Sequence, residues 1–510
     1  SAQVLALSAT QIAAMETQDL ALLSTDKIAA LQTDRIAALR SDEIAGLTTA
    51  QVVALTSAQI AVLRTDQVAA LETQDLVLLT STELRTWLSG QVMALTSDQI
   101  PALTTAQFAA LLTQQVAALT TAQIVALTTA QALALSTAHV VALGTAQIAA
   151  FETQDLAQFS TTKIAVLSSA QIAAMRTDEI AGFTSAQVAV LNTAQTRAMR
   201  TDQIAALETQ DLAAMSTAGV RAWLSSQIVA LTTAQVPALT TAQIANLATD
   251  QVAALTSSQV VVLATNQAAV LTTAQVAALT TSQIVALETR DLVMLGTAQM
   301  VALTSAQVAA FRTDEVAALT TAQLVAIQTG DIRTWQSAQL LALSTAQIAA
   351  LSTAQIANLK TEQVAALSTA QIVALGTNQA AALTSLEVAA LTTAQIAALE
   401  TRDLVLFATD RITALSSAQV AALLTDEVVG LSATQFAVFN SAQTGALGTQ
   451  QIAVIQTQDL VVLTTAAVRA WASHQVQALT TTQIAALTTN QTANLTTDQI
   501  AALATAQIVA

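Results

Sequence analysis

A large apolar residue returns at every eighth position of this chain: Leu7, Met15, Leu23, Leu31 and onward to Leu503, always Leu, Met, Phe, Ile or Trp. If that residue is position 1 of an octad, position 3 is Ser or Thr except at Ala9 and Ala433. Position 5 is mostly Gln, sometimes Asp or Glu; position 6 is mostly Ile or Val; positions 7 and 8 are mostly Ala. Position 2 is the loosest, with Thr, Ser, Glu, Arg, Gly, Asn, Lys and Ala among its occupants. No insertion or deletion breaks this phase between Ser1 and Ala510. A linker or an inserted loop would break it, so the pattern predicts a single continuous octapeptide-repeat array over 1–510.

An octad does not suit one long α-helix. Eight residues turn about 800°, so a stripe of this period drifts about 80° per repeat and never forms a seam. A series of short helices fits better. Ser or Thr at position 3 makes a good N-cap, and Asp, Glu and Gln collect in the first turn, where the helix dipole favours negative charge. Position 2 then serves as the exit. Gly144, Gly296, Gly376, Gly448, Asn192 and Asn440 stand there and accept a left-handed C-terminal conformation. Arg40, Arg64, Arg176, Arg200 and Arg312 stand there too, as cations near a helix C-terminus. The expectation is an all-α repeat solenoid, one capped helix of about six residues per octad. Helices this short cannot stand alone, so positions 1 and 6 and the alanines must stack on neighbours. Two features resist this reading: Pro101 and Pro237 at position 7, and Glu at position 2 of the "ETQDL" octads. The alternative is a β-solenoid with two octads per coil. Thr, Val and Ile favour it, but its corners want Gly, Asn or Asp, and Gly numbers only 11 in 510.

A slower repeat lies over the octads. Trp occurs at 87, 223, 335 and 471, each two residues after Arg85, Arg221, Arg333 or Arg469. An acidic mark recurs at Asp42-Glu43, Asp178-Glu179, Asp314-Glu315 and Asp426-Glu427, and "ETQDL" or "ETRDL" starts at Glu16, Glu152, Glu288 and Glu400. Successive copies of the last two marks stand seventeen, seventeen and fourteen octads apart, and those of Trp seventeen, fourteen and seventeen. Four long units related by duplication follow, about 1–136, 137–272, 273–384 and 385–510. The third lacks three octads, so the octad is the unit of structure and a run of seventeen octads the unit of duplication.

Composition then removes function classes. A net charge of −16 disfavours nucleic acid and anionic membrane surfaces. Polar residues return in every octad, so no stretch is long and apolar enough for membrane insertion. With no Cys, disulfides and zinc–thiolate sites are absent. The expectation is no catalysis, no cofactor and no metal. No phosphate loop, dinucleotide fingerprint or nucleophile elbow is present. His139 and His474 replace ordinary polar residues of the capping turn and read as solvated. Acidic pairs such as Asp42-Glu43 offer oxygen ligands to Ca²⁺ but lack a Gly-spaced loop, and read as carboxylates of a helix N-terminus. The Trp residues occupy position 1, the core ladder. Their pairing with Arg makes Arg85, Trp87, Arg221, Trp223, Arg333, Trp335, Arg469 and Trp471 the candidate partner-binding residues.

The run "TTAQIAAL", Thr392 to Leu399, resembles tracts of very large bacterial secreted or surface proteins described as adhesin-like, RTX-like or haem-utilisation proteins. The resemblance covers the whole chain and rests on low-complexity repeats. It implies an extracellular or cell-surface location in a longer parent. It carries no catalytic or ligand residue across, and the Gly- and Asp-rich Ca²⁺ nonapeptides of RTX proteins are missing here. "LTTAQVVAL", Leu47 to Leu55, is similar to the helix start of TAL-effector repeats, as a shared capping signature only; the period differs and the charge is wrong for DNA. The expected function is a structural, non-catalytic segment of a filament, stalk or adhesin, with self-association or lateral packing of arrays. The alternative is a scaffold displaying the Arg-x-Trp and acidic marks to a glycan or protein partner.

Overall fold

The computed structural model describes residues 6–510. Among them there is no strand: each octad forms one α-helix of four to six residues, with a single 3-10 turn at Val236–Ala238. The all-α solenoid is the fold, and the β-solenoid is excluded. The chain groups into two units, 1–255 and 256–510. Both are built the same way.

In each unit a helix packs on the third helix after it. Ser185–Ala189 lies against Thr209–Ala214 in the first unit, and Ser385–Ala390 against Thr409–Ala414 in the second. Three octads therefore make one coil. The three octads missing from the third long unit are one whole coil.

The helix frame is shifted by one position from the expectation. The N-cap is position 2 and helices start at position 3. In Thr49–Ala54 the cap is Thr48, extended at φ −72, ψ 153. Its amide donates to Gln51 Oε1 at 2.8 Å, and its hydroxyl accepts from the Gln51 amide at 3.4 Å. This is a capping box of the form Ser/Thr-x-x-Gln. The helix does not end in a left-handed residue: among the described residues none has positive φ. Gly144, read above as an exit, is an N-cap at φ −74, ψ 166, and Asn192 and Asn440 cap through Oδ1. The chain leaves each helix through position 1 in extended conformation, as at Leu55, φ −62, ψ 135. Position 2 is thus a helix start, where the Glu of "ETQDL" has the favourable sign for the dipole.

The prolines shorten rather than break the pattern. Pro101 sits in the four-residue helix Gln99–Ala102 and Pro237 in the 3-10 turn, each losing one backbone bond. The core is formed by positions 1 and 6, for instance Leu63 with Ile60 and Leu391 with Val388. The alanines of positions 7 and 8 contribute less than expected: Ala109 and Ala278 are exposed and half-buried respectively. Position 5 takes their place inside.

Candidate functional site

Glutamine at position 5 is buried in both units except at the exposed Gln11; Gln59 is 1% exposed. Its acceptor end closes the capping box of its own helix. Its donor end crosses to the preceding coil. Gln59 Nε2 donates to the carbonyls of Ile28 at 2.9 Å and Leu31 at 2.7 Å, 31 and 28 residues back. Gln419 repeats this on Val388 at 2.9 Å and Leu391 at 2.7 Å. The last carbonyls of a helix lack intrahelical partners, and here the coil above supplies them. Such a bond contributes about 0.5–1.5 kcal/mol net, and leaving its partner buried and bare costs more.

Other residues at position 5 satisfy the same demand. His139 is buried, not solvated: Nδ1 accepts from the Ser136 amide at 3.3 Å and Nε2 faces Leu111 O at 2.9 Å. This pattern assigns the Nε2–H tautomer, and burial pushes its pKa down, toward the neutral ring. Arg35 Nε reaches Leu7 O at 2.7 Å and Lys163 Nζ reaches Leu133 O at 2.6 Å. Burial pushes the lysine down, and its Nζ lies 5.0 Å from the Phe159 ring centroid. His474, at position 4, is exposed.

Acids at position 5 have no donor for these carbonyls. Three of the aspartates are held from below by the position-3 hydroxyl of the preceding coil: Ser185 to Asp211 at 2.5 Å, Thr265 to Asp291 at 2.8 Å, Ser305 to Asp331 at 2.5 Å. Asp459 falls above Ala433, which has no hydroxyl, and both its carboxylate oxygens are buried without a hydrogen-bond partner; those of Asp403 are too, although Thr377 stands at the same offset below it. Three of the glutamates are paired with an arginine from position 2. Glu43, Glu179 and Glu315 each accept from their N-cap amide at 2.6 Å through Oε2. Their Oε1 atoms lie 3.2, 3.2 and 3.0 Å from Arg40, Arg176 and Arg312. Those arginines also donate to the preceding coil, Arg40 to Ala13 O at 2.5 Å, Arg176 to Ala149 O at 2.7 Å and Arg312 to Val285 O. The cation does sit at a helix C-terminus, but that of the coil before. Three of the four acidic pairs are committed to this work, and among the described residues no group of three or more His, Asp or Glu is placed to hold a metal.

The Arg-x-Trp marks are split by burial. Trp87, Trp223, Trp335 and Trp471 are in the core, the most accessible being 4% exposed. Arg85, Arg221, Arg333 and Arg469 are exposed. An Arg stacked beside an exposed indole is therefore not what the chain presents. Three of the four arginines instead reach one coil on, to a backbone carbonyl of an asparagine. Arg221 donates to Asn246 O at 2.6 Å, Arg333 to Asn358 O at 3.3 Å, and Arg469 to Asn494 O at 3.4 Å. These asparagines belong to the mark and were missed in the sequence; their signal is the constant offset from each arginine to its asparagine. Indole Nε1 bonds Ile60 O at 3.1 Å in Trp87 and Val308 O at 2.9 Å in Trp335. In Trp223 and Trp471 it is buried without a partner. A groove of about 500 Å³ is lined by Arg333, Lys360, Glu362 and Glu387 among others.

No described helix is long and apolar enough to cross a membrane. No curated protein matches the chain. The ALTTAQ repeat matches it in fourteen stretches, which together cover residues 12–137, 148–281, 284–321, 324–393, 396–433 and 452–489. The chain belongs to the ALTTAQ repeat family.

Proposed function

We propose that this chain is a structural, non-catalytic spacer: a repeat segment of a long bacterial filament, stalk or adhesin on the cell surface or outside it. The observation that carries this reading is the use made of position 5. The position-5 residues with chemical capacity are buried and engaged in holding one coil to the next, as with His139, Lys163 and the glutamines. A part whose polar chemistry is spent on its own continuation can be lengthened or shortened by coils, and the third long unit differs from the first two by three octads, one coil. Arrays of this kind can pack laterally on copies of themselves; no cofactor and no nucleic acid enters the reading.

The test uses the parent protein in its own bacterium. An antibody against the array should label intact cells. Removing whole coils should shorten the particle in proportion when measured by electron microscopy, with adhesion declining gradually. Absence of surface label would overturn the location, and a length that ignores coil number would overturn the spacer.

A second reading is a scaffold for a glycan or protein partner. The exposed arginines favour it, Arg333 above all, because Lys360 shares its groove. Replacing Arg85, Arg221, Arg333 and Arg469 together by Ala would then abolish partner binding while length stayed unchanged.

A further inference from the structure

The four acidic marks are internal copies of one another, and the fourth lacks its cation. Arg40, Arg176 and Arg312 stand three residues before Glu43, Glu179 and Glu315; Leu424 stands before Glu427. Glu427 is 1% exposed. Its Oε2 accepts from the Leu424 amide at 2.6 Å, as glutamine Oε1 does in an ordinary octad. Its Oε1 is buried without any partner. By the offsets of the glutamine ladder, that oxygen stands where a glutamine would donate to the carbonyls of Leu399 and Ile396. A carboxylate there points a bare charge at acceptors. A carboxylic acid has the shape of glutamine and one donor to give.

We propose that Glu427 is held as the neutral acid when its coil is closed, its Oε1–H donating to the carbonyls of the preceding coil in place of a glutamine amide, so that loss of this one proton loosens the coil around it. The chain then carries a proton-dependent latch at this point of its fourth long unit.

The surroundings bear this out. The helix Thr425–Gly430 packs on Thr401–Leu404 below and Thr449–Ala453 above. The lower contact is tight: a Cβ added at Gly430 would run into Thr401 Cγ2. Titratable groups on the lower element are Arg402 and Asp403, with Glu400 as its cap; the upper element has none. Arg402 is turned to Glu400 and lies 3.8 Å from Asp403, and Asp403 is itself a buried acid pushed up by desolvation. On its own helix the other charge is Asp426, which is exposed. No cation offsets Glu427, and burial pushes its pKa from the ordinary 4.5 to about 7. In Glu179 and Glu315 burial also raises the pKa, but Arg176 and Arg312 pull it back.

A raised pKa in the closed state sets the sign. The latch is complete below the open-state value near 4.5 and is lost as pH rises through about 7. Between those limits opening releases one proton, so the opening constant rises about tenfold per pH unit and then levels off.

Native-state hydrogen exchange on the full chain, corrected for the intrinsic pH dependence of amide exchange, reads this directly. Residues 425–430 should show the tenfold-per-unit rise, and residues 177–181 and 313–318 a smaller one. Glu427→Gln should remove the rise and leave the segment protected at pH 8. Leu424→Arg should reduce it to the level of the other copies, and Asp403→Asn should leave it in place. A rise that survives in E427Q, a flat wild-type profile, or a rise lost in D403N but not in E427Q would overturn the proposal.

Discussion

A carboxamide offers an acceptor at one end and donors at the other, and position 5 uses both. Gln59 takes the Thr56 amide at 2.7 Å and gives to two carbonyls of the coil before. Gln59→Leu keeps the volume and removes every one of these bonds, stranding an amide and two carbonyls in a dry place. The expected cost is about 2–4 kcal/mol, read as lost exchange protection in Ser57–Ala61 and in Thr25–Ala29 of the coil before it. A change below about 0.5 kcal/mol would mean that the apolar ladder alone holds the coils. Burial of this residue could not be read from the sequence for a physical reason. Glutamine is a surface residue by default, and its partners lie a full coil away, in octads that all look alike. The informative places were the exceptions: Ala433 matters because Asp459 stands over it, one coil later, with nothing below to bond.

The helix as an element was legible in the octad, since apolar positions 1 and 6 and the short period left a broken helix as the best fit. The frame was not, because Ser and Thr occupy positions 2 and 3 side by side and either can cap. The deciding signal was the three-residue spacing to Gln, which matches a capping box from position 2. Asn192 tests the frame without ambiguity: its Oδ1 accepts from the amides of Ala194 and Gln195, both at 3.0 Å. Asn192→Ala should cost about 1–2 kcal/mol and Thr193→Ala close to nothing, measured as protection of Thr193–Ala198. The reverse order would restore position 3 as the cap. The tryptophans give a second contrast between elements of the same kind. The Trp87 indole is bonded to Ile60 O, while the Trp223 indole has no partner. Trp87→Leu should therefore cost about 1 kcal/mol more than Trp223→Leu. Both indoles should emit at short wavelength and resist acrylamide; equal costs would show that the Nε1 bond carries no weight.

Across the whole molecule the octad and the three-octad coil make different demands on a deletion. Every octad of the common type carries the same capping box and the same donor end, so removing one octad leaves each remaining coil able to clamp the one before it. It also moves all later octads one place round the three-sided coil and separates specific partners, such as Ser185 from Asp211 or Thr265 from Asp291. Removing a whole coil keeps each later octad on its own side, which is the change the third long unit already carries. Removing half an octad throws position 1 outward and turns polar side chains toward the core. The expected order of stability is deletion of a coil, then of an octad, then of half an octad. The first should lie within about 1 kcal/mol of the parent in the protection of flanking helices; the last should abolish protection for about a coil on either side, because stability in stacked repeats is carried by nearest-neighbour interfaces. If deletions of an octad and of a coil are indistinguishable, the octad interfaces are generic and the side-specific pairs carry no weight. If loss of a whole coil is as damaging as loss of half an octad, the coil is not the unit by which this chain grows.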